Sequence, residues 1–162
     1  DKILCAKFRK GHFEGVIEVM DRLTNLIRPA KIFMGEKDFQ QLYLVKNYIE
    51  KKYSSLIVNC KTIRNKFKLA LSSRNLLLNR KDLILAGKLS GHLIFFKKSL
   101  IKKTHIKKLL NTKKEYLKRT FNISIEYLEL RNVRSLKMSN KIKNSKIFIA
   151  YYLNGVRLID NF

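Results

Sequence analysis

The sequence predicts an α/β fold in two parts: a βαβ unit that ends near residue 63, and a small α+β unit with an antiparallel sheet after it. Three observations support this prediction. Two short apolar segments, 31–34 and 56–60, flank a helical pattern, which is typical of parallel strands joined by a crossover helix. Beyond residue 79, two helical patterns are followed by two strand-like segments. Asn154-Gly155 then indicates a tight hairpin.

The first helix is predicted from apolar residues that recur at steps of three and four between Val16 and Ile27, which indicates one buried face. Pro29 ends it, because a proline pushes the preceding residue, Arg28, out of helical geometry. KIFM at 31–34 is expected to form a buried strand, which Gly35 breaks.

A second helix, marked by Phe39, Leu42, Val45 and Ile49, is predicted to reach about Tyr53. LIVNC at 56–60 completes the βαβ unit. A parallel sheet of two strands needs neighbouring strands and cover on both faces. We therefore expect further strands upstream, in a longer protein.

The second part begins with Asn79, which with Asp82 three residues later predicts a helix start. This helix is expected to run to about residue 101, and another is expected near 104–120. Residues 123–130 and 146–153 are predicted strands. Asn154-Gly155 predicts a type I′ turn after the second of them.

Composition limits the class of protein. The chain has 162 residues, of which 46% are hydrophobic and only one is proline, so a real core is expected and disorder is not. Apolar runs such as 147–153 are much shorter than a membrane span, and no secretory signal is seen. We therefore expect no membrane partner. Cys5 and Cys60 lie far apart, which indicates two reduced thiols in a cytoplasmic protein.

The charge of the chain is strongly positive, with 36 Lys and Arg against 12 Asp and Glu. Such a surface binds nucleic acid nonspecifically at low salt. The lysines are spread along the chain and form no single stripe, so a solvated basic surface is favoured over a specific nucleic-acid partner. A basic α+β nucleic-acid-binding module remains the alternative function.

The segment FMGEKDFQQL at 33–42 has the chemistry of a ligand-binding loop. A glycine at a strand end lets the backbone approach a ligand, and ligands bind at this edge of α/β sheets. Lys37 can pair with a phosphate, Asp38 can accept from sugar hydroxyls or cap the helix, and Gln41 can contact a small polar substrate. The alternative is a solvated turn with a helix cap.

The segment LALSSRN at 69–75 offers hydroxyl groups from Ser72 and Ser73 and a guanidinium group from Arg74, a good set for phosphate oxygens. The alternative is an ordinary polar loop before a helix. His12 is either an acid–base group or a structural histidine. No His, Cys, Asp or Glu cluster has the spacing of a metal site.

Five segments resemble the second half of the pantothenate synthetases, the pantoate–β-alanine ligases, in their order and spacing. They are GHFEGV at 11–16, NLIRP at 25–29, FMGEKDFQQL at 33–42, LALSSRN at 69–75 and RLIDN at 157–161. The resemblance covers essentially the whole chain, and its motifs are specific.

The resemblance implies an ATP-dependent ligase that joins pantoate and β-alanine through a pantoyl-adenylate intermediate and uses Mg²⁺. Residues 1–63 would be the carboxy-terminal part of a Rossmann-like nucleotidyltransferase domain, and 64–162 a small α+β lid domain. The full-length protein would be a homodimer.

The resemblance also implies roles for single residues. Gly35 and Asp38 match positions that hold the ribose, Lys37 matches a phosphate-binding lysine, and Gln41 matches a glutamine that binds pantoate. Ile63 matches a position whose backbone contacts adenine. Lys37 and Arg74 would be the catalytic groups. Nine residues match the ATP site: Gly35, Glu36, Lys37, Asp38, Ile63, Leu71, Ser72, Ser73 and Arg74.

The chain departs from the family pattern at Phe67-Lys68, where Asp-Gly is usual, and at Glu18, where Thr is usual. Loss of that glycine is expected to stiffen or redirect the loop. The amino-terminal histidine motif of the family is absent from this sequence, so the isolated chain is expected to be inactive. A hinge is expected near 61–68, with the 66–74 loop open or poorly ordered without ATP.

Overall fold

A computed structural model describes residues 3–101 and 103–162. The chain divides into two compact units, one ending at Thr62 and the other spanning Ile63–Phe162. They are called unit 1 and unit 2 below, and each is described by itself. No helix among the described residues is both long enough and apolar enough to cross a membrane.

Unit 1 is built on the predicted βαβ arrangement. Strands β1 and β2 are parallel, with Lys31 opposite Leu56 and Gly35 opposite Cys60, and helix α3 is the crossover between them. The elements, in chain order, are α1 Cys5–Phe8, α2 His12–Ile27, β1 Lys31–Gly35, a 3-10 turn Glu36–Asp38, α3 Phe39–Lys52 and β2 Leu56–Cys60.

Helix α2 ends as the sequence predicts. Arg28 takes a left-handed conformation with φ 49°, and its backbone N–H donates to the Thr24 carbonyl at 2.8 Å. The left-handed residue satisfies one of the open carbonyls at the helix end, and Pro29 then turns the chain toward β1.

The expected burial of α2 and β1 is wrong within the described structure. The apolar stripe of α2 is exposed, with Leu26 at 81%, and Phe33 of β1 is 67% exposed. The reason is that α2 packs on α3 through its other side, where Phe13 and Thr24 are buried. In the described structure, β1 has one neighbouring strand, so the prediction identified the apolar residues correctly but not what covers them.

Unit 2 places two helices with a three-stranded antiparallel sheet of order β3-β4-β5. Asn79 caps the first helix, because its side-chain oxygen accepts from the Asp82 N–H at 2.9 Å. The elements are a 3-10 turn Ser73–Leu77, α4 Arg80–Ser99, α5 Ile106–Phe121, β3 Ser124–Asn132, β4 Ser145–Leu153 and β5 Val156–Asn161. The predicted fold class is confirmed.

The hairpin between β4 and β5 has the predicted type I′ turn. Asn154 and Gly155 have φ angles of 47° and 78°, which is the positive pair that this turn requires. Leu153 and Val156 face each other directly before and after the turn. The turn therefore sets the register that places Asp160 on β5 opposite Ile149.

A single hydrophobic core holds unit 2 together. The helices and the sheet both contribute side chains that are almost wholly buried, among them Leu89, Leu93, Leu117, Leu130, Ile147 and Ile149. This core fixes the sheet and α4, on which the loop between Ile63 and Asn79 rests.

Candidate functional site

The loop that follows β1 is the first of two candidate ligand-binding segments. Gly35 has an ordinary extended conformation, with φ −71° and ψ 132°, and a Cβ atom added there would meet nothing within 4 Å. Neither backbone geometry nor packing inside unit 1 requires a glycine. The open space beside this backbone is what close approach of a ligand needs.

Lys37 and Asp38 lie together in the 3-10 turn after Gly35. The Lys37 Nζ atom is 3.7 Å from Asp38 Oδ1, and the Asp38 side chain is half exposed. Asp38 directly precedes α3, yet its carboxylate makes no capping hydrogen bond to that helix. The helix-cap alternative is therefore not what the structure shows, and the carboxylate stays available to another partner.

The two neighbouring glutamines of this segment differ in role. Gln40 is buried, its Oε1 accepts from the Cys5 N–H, and its Nε2 donates to the Ile3 carbonyl, both at 3.0 Å. It ties α3 to the start of the described chain. Gln41 is half-buried on the first turn of α3 and makes no side-chain hydrogen bond within the described residues. Its amide is free to contact a substrate.

The second candidate segment is the narrow hairpin that opens unit 2. Arg64 faces Ala70 in an antiparallel bridge, the Leu71 N–H donates to the Ile63 carbonyl, and the Asn65 N–H donates to the Leu69 carbonyl, both at 2.9 Å. Ala70 is buried, whereas Ile63 and Leu71 are exposed. The pairing brings Ile63 directly beside the segment that begins at Leu71.

Ser72, Ser73 and Arg74 follow the hairpin in one turn. Ser72 Oγ accepts from the Arg74 N–H at 3.3 Å, and the Ser73 side chain is exposed. The Arg74 guanidinium is half-buried and lies 3.5 Å from the Arg157 carbonyl, at the limit of a hydrogen bond. The hydroxyl of Ser73 and most of the guanidinium are thus not committed to the fold.

The loop between the hairpin strands carries the departure from the family pattern. Lys68 has φ 70°, in the left-handed region that favours glycine, and its N–H donates to the Asn65 carbonyl at 2.9 Å. At Gly87 of α4, an added Cβ would lie 2.4 Å from the Phe67 carbonyl oxygen, so the loop lies directly on that helix. The expected open or poorly ordered loop is instead a hydrogen-bonded turn.

Two ion-pair networks have no signal in the sequence. In unit 2, Arg64 binds Asp160 through both guanidinium nitrogens, 96 residues away along the chain. In unit 1, Asp21 of α2 accepts from Lys52 and from the Tyr53 hydroxyl, both at 2.8 Å. These hydrogen bonds lower the pKa of Asp21 below its ordinary value.

The remaining candidates carry no chemistry that the structure supports. His12 begins α2 and stacks near Phe13, with ring centroids 4.9 Å apart. Glu18 forms an exposed pair with Arg22 on the same helix. No group of three His, Cys, Asp or Glu residues in the described part of the chain is arranged to hold a metal ion.

The fold is that of an α/β protein. Side chains suited to binding phosphate follow one of its parallel strands and the hairpin that opens unit 2. The chain belongs to the pantoate–β-alanine ligase family, whose model matches residues 1–162. It is 37% identical to a pantothenate synthetase of Campylobacter hominis over 98% of the chain and 58% of that protein. It is 41% identical to a bifunctional pantoate ligase/cytidylate kinase of Prochlorococcus marinus, over 98% of the chain and 31% of that protein.

Solved structures show the same fold. Pantothenate synthetase from Thermus thermophilus superposes with a TM-score of 0.90 at 28% identity, over 99% of this chain and 59% of that one. A pantoate–β-alanine ligase from Francisella tularensis, complexed with β,γ-ATP and β-alanine, superposes with a TM-score of 0.73 at 31% identity, over 99% and 54%. The chain therefore spans less than two thirds of the length of these relatives.

Proposed function

We propose that this chain supplies the carboxy-terminal half of an ATP-dependent ligase that joins pantoate and β-alanine to form pantothenate. Family membership over residues 1–162 supports the activity. The observation that carries the proposal is that Asp38, Ser73 and Arg74 offer charged and polar groups that the described contacts leave largely uncommitted, with the ammonium group of Lys37 beside Asp38. The ATP and β-alanine bound to the Francisella tularensis ligase favour the same ligands here.

The proposed reaction has two steps. A pantoate carboxylate oxygen attacks the α-phosphorus of ATP, and pyrophosphate leaves. The amine of β-alanine then attacks the carbonyl of pantoyl adenylate, and AMP leaves. Lys37 and Arg74 stabilise the negative charge that moves over the phosphates, because preorganised cations act most strongly where charge develops. Gln41 orients pantoate, so that its carboxylate lies in line with the α-phosphorus.

The ATP-binding residues divide between the two units. Gly35 and Asp38 would contact the ribose, and the Ile63 backbone would contact adenine. Leu71, Ser72, Ser73 and Arg74 would close over the triphosphate. Residues 1–63 would thus act as the end of a Rossmann-like domain and residues 64–162 as its lid domain, since lids exclude water from the reaction.

Mg²⁺ is expected to enter with ATP. Mg²⁺ keeps several waters and is held in such sites by one or two carboxylates together with substrate phosphates. The described residues offer no cluster of three metal ligands, so the phosphates of ATP and water would supply most ligands of the ion. The ion would neutralise phosphate charge.

We further propose that ligation needs chain beyond these 162 residues, in a full-length cytoplasmic homodimer. The exposed apolar stripe of α2 and the exposed Phe33 of β1 support this, because apolar surface of this kind is normally covered in a stable protein. The length of the relatives supports it as well.

The direct test is AMP release from ATP in the presence of pantoate and β-alanine. The full-length protein is expected to form pantothenate and AMP in equal amounts, and the isolated chain is expected to form neither. Turnover by the isolated chain would refute its proposed dependence on further residues. If the full-length protein is folded but neither binds ATP nor releases AMP, the ligase proposal is refuted.

A further inference from the structure

Arg64 lies at the centre of a network that joins the hairpin of unit 2 to its last strand. Its guanidinium donates to both carboxylate oxygens of Asp160, at 2.7 and 2.9 Å, and to the Asn161 carbonyl at 3.1 Å. It also donates to the Lys68 carbonyl at 3.0 Å and lies 4.8 Å from the centre of the Phe162 ring. This geometry uses the planar fork of arginine, which lysine cannot reproduce.

Asp160 is the buried partner in this network. Its side chain is only 5% exposed, and it also accepts from the Asn161 N–H at 2.7 Å. Ser90 Oγ of α4 lies 3.5 Å from the same carboxylate. The carboxylate is therefore fixed by β5 and α4, both of which belong to the core, and it offers Arg64 an immobile anchor.

The contact with Lys68 connects the Arg64–Asp160 pair to the turn of the hairpin. Lys68 is the residue of the turn with a left-handed backbone, and its carbonyl accepts from the guanidinium of Arg64. Arg64 itself pairs with Ala70 across the hairpin. The side chain of Arg64 thus binds the turn, while its backbone takes part in the pairing of the two strands that lead into Ser72.

We propose that Arg64 and Asp160 are positioning residues, which hold the segment from Ile63 to Arg74 in its ATP-binding conformation. The inference rests on the proposed function for its ligand, and on the observed hydrogen bonds for its geometry. Neither side chain is assigned a contact with the substrate. Their effect would pass through the Ile63 backbone and through the groups of Ser72, Ser73 and Arg74.

Unit 2 provides a matched control for this pair. Arg157, also on β5, binds the carboxylate of Glu126 on β3, with nitrogen–oxygen distances of 2.6 to 3.1 Å. The Arg157 and Glu126 side chains are 13% and 10% exposed. The pair resembles Arg64–Asp160 in chemistry and burial, but its side chains join two strands of the sheet. The Arg157 carbonyl that lies near Arg74 belongs to the backbone, so Arg157→Lys retains it.

The first measurement is amide hydrogen exchange of the chain in the wild type and in the Arg64→Lys, Asp160→Asn and Arg157→Lys variants. Loss of charge-assisted hydrogen bonds to the turn is expected to speed exchange in residues 63–75 by roughly tenfold in the first two variants. The Arg157→Lys variant is expected to leave exchange of this segment unchanged. Unchanged exchange in Arg64→Lys, or equal acceleration in Arg157→Lys, would overturn the proposal.

The second measurement is steady-state kinetics of the full-length enzyme carrying the same substitutions. Arg64→Lys and Asp160→Asn are expected to raise KM for ATP by about tenfold, because a mobile loop must be ordered on binding, and to leave KM for β-alanine unchanged. A normal KM for ATP in an Arg64→Lys enzyme would overturn the positioning role while the wild type remains active. An inactive wild type would instead overturn the proposed function.

Discussion

The two candidate segments of this chain are held in place by different means. The Gly35–Gln41 segment is set by its backbone path, from a strand through a short 3-10 turn into a helix, with a loose 3.7 Å contact between Lys37 and Asp38. The Ile63–Arg74 segment is held by long-range side-chain contacts, above all the Arg64–Asp160 pair at 2.7 Å. The long-range hydrogen bonds of the first come from Gln40, which binds the backbone of Ile3 and Cys5, whereas the second depends on contacts across unit 2.

The two units that carry these segments also differ in how completely they bury their apolar side chains. Unit 2 encloses its own core, in which Leu130 and Ile147 are wholly buried. Unit 1 leaves the apolar stripe of α2 exposed. The difference suggests that unit 2 is stable by itself, whereas unit 1 depends on apolar contacts outside itself.

The largest expected effect is on stability. Leu130→Ala in unit 2 is expected to lower the free energy of unfolding by about 3–5 kcal/mol, because it removes a wholly buried side chain and leaves a cavity. Leu26→Ala in α2 is expected to change it by less than about 0.5 kcal/mol in this chain, because that side chain is 81% exposed. Urea unfolding measures the free energy of unfolding of both variants. Similar losses in the two would contradict the proposed difference between the units.

The next effect is on catalysis in the full-length protein. Lys37→Ala is expected to lower kcat by about 10²–10³-fold, as for other preorganised groups that stabilise developing negative charge. Lys31→Ala, on the exposed part of β1 in the same unit, is the matched control and is expected to leave kcat unchanged. Both rates come from AMP release, and a wild-type rate for Lys37→Ala would remove this residue from the proposed site.

A smaller effect is expected at the left-handed position of the hairpin. Lys68→Gly is expected to stabilise unit 2 by about 0.5–1 kcal/mol, because glycine adopts φ 70° without the steric cost that a side chain pays. Lys66→Gly is the control, because it removes a lysine from the same loop at a residue without positive φ. It is expected to destabilise unit 2, since glycine gives the unfolded chain more freedom. Thermal unfolding of the two variants gives the comparison, and the same sign for both would contradict it.

The smallest effect concerns the alternative nucleic-acid function. A groove of about 640 Å³ in unit 2 is lined by Lys66, Lys68 and Lys88 together with Phe67 and Phe95. Fluorescence anisotropy with single-stranded RNA is expected to show weak binding that is lost between about 50 and 200 mM salt, as for charge-driven contacts. Tight, sequence-selective binding near 200 mM salt would favour the alternative function instead.

The sequence predicted those features that depend on local signals. Short apolar runs and helical periodicity predicted the βαβ unit, and cap and turn residues predicted the helix start at Asn79 and the Asn154-Gly155 turn, because each of these signals is local in sequence. The family resemblance identified the candidate loops. Hydrophobic periodicity marked the apolar stripe of α2 but could not show what covers it, since periodicity describes a surface and not its partner.

The features that the sequence did not predict depend on distant contacts. Gln40 and Gln41 are chemically identical neighbours, and only the fold shows that the first is committed to the backbone at Ile3 and Cys5. Arg64 and Asp160 are 96 residues apart, and no local pattern links them. Whether Lys37 and Arg74 converge on one ligand remains a prediction.

The most direct test of that convergence is a crystal structure of the full-length protein with Mg²⁺ and a nonhydrolysable ATP analogue. We expect the Lys37 ammonium and the Arg74 guanidinium both to contact phosphate oxygens of one nucleotide, with adenine against the Ile63 backbone. A nucleotide bound elsewhere, or one contacted by only one of these two cations, would contradict the proposed phosphate-binding roles of Lys37 and Arg74.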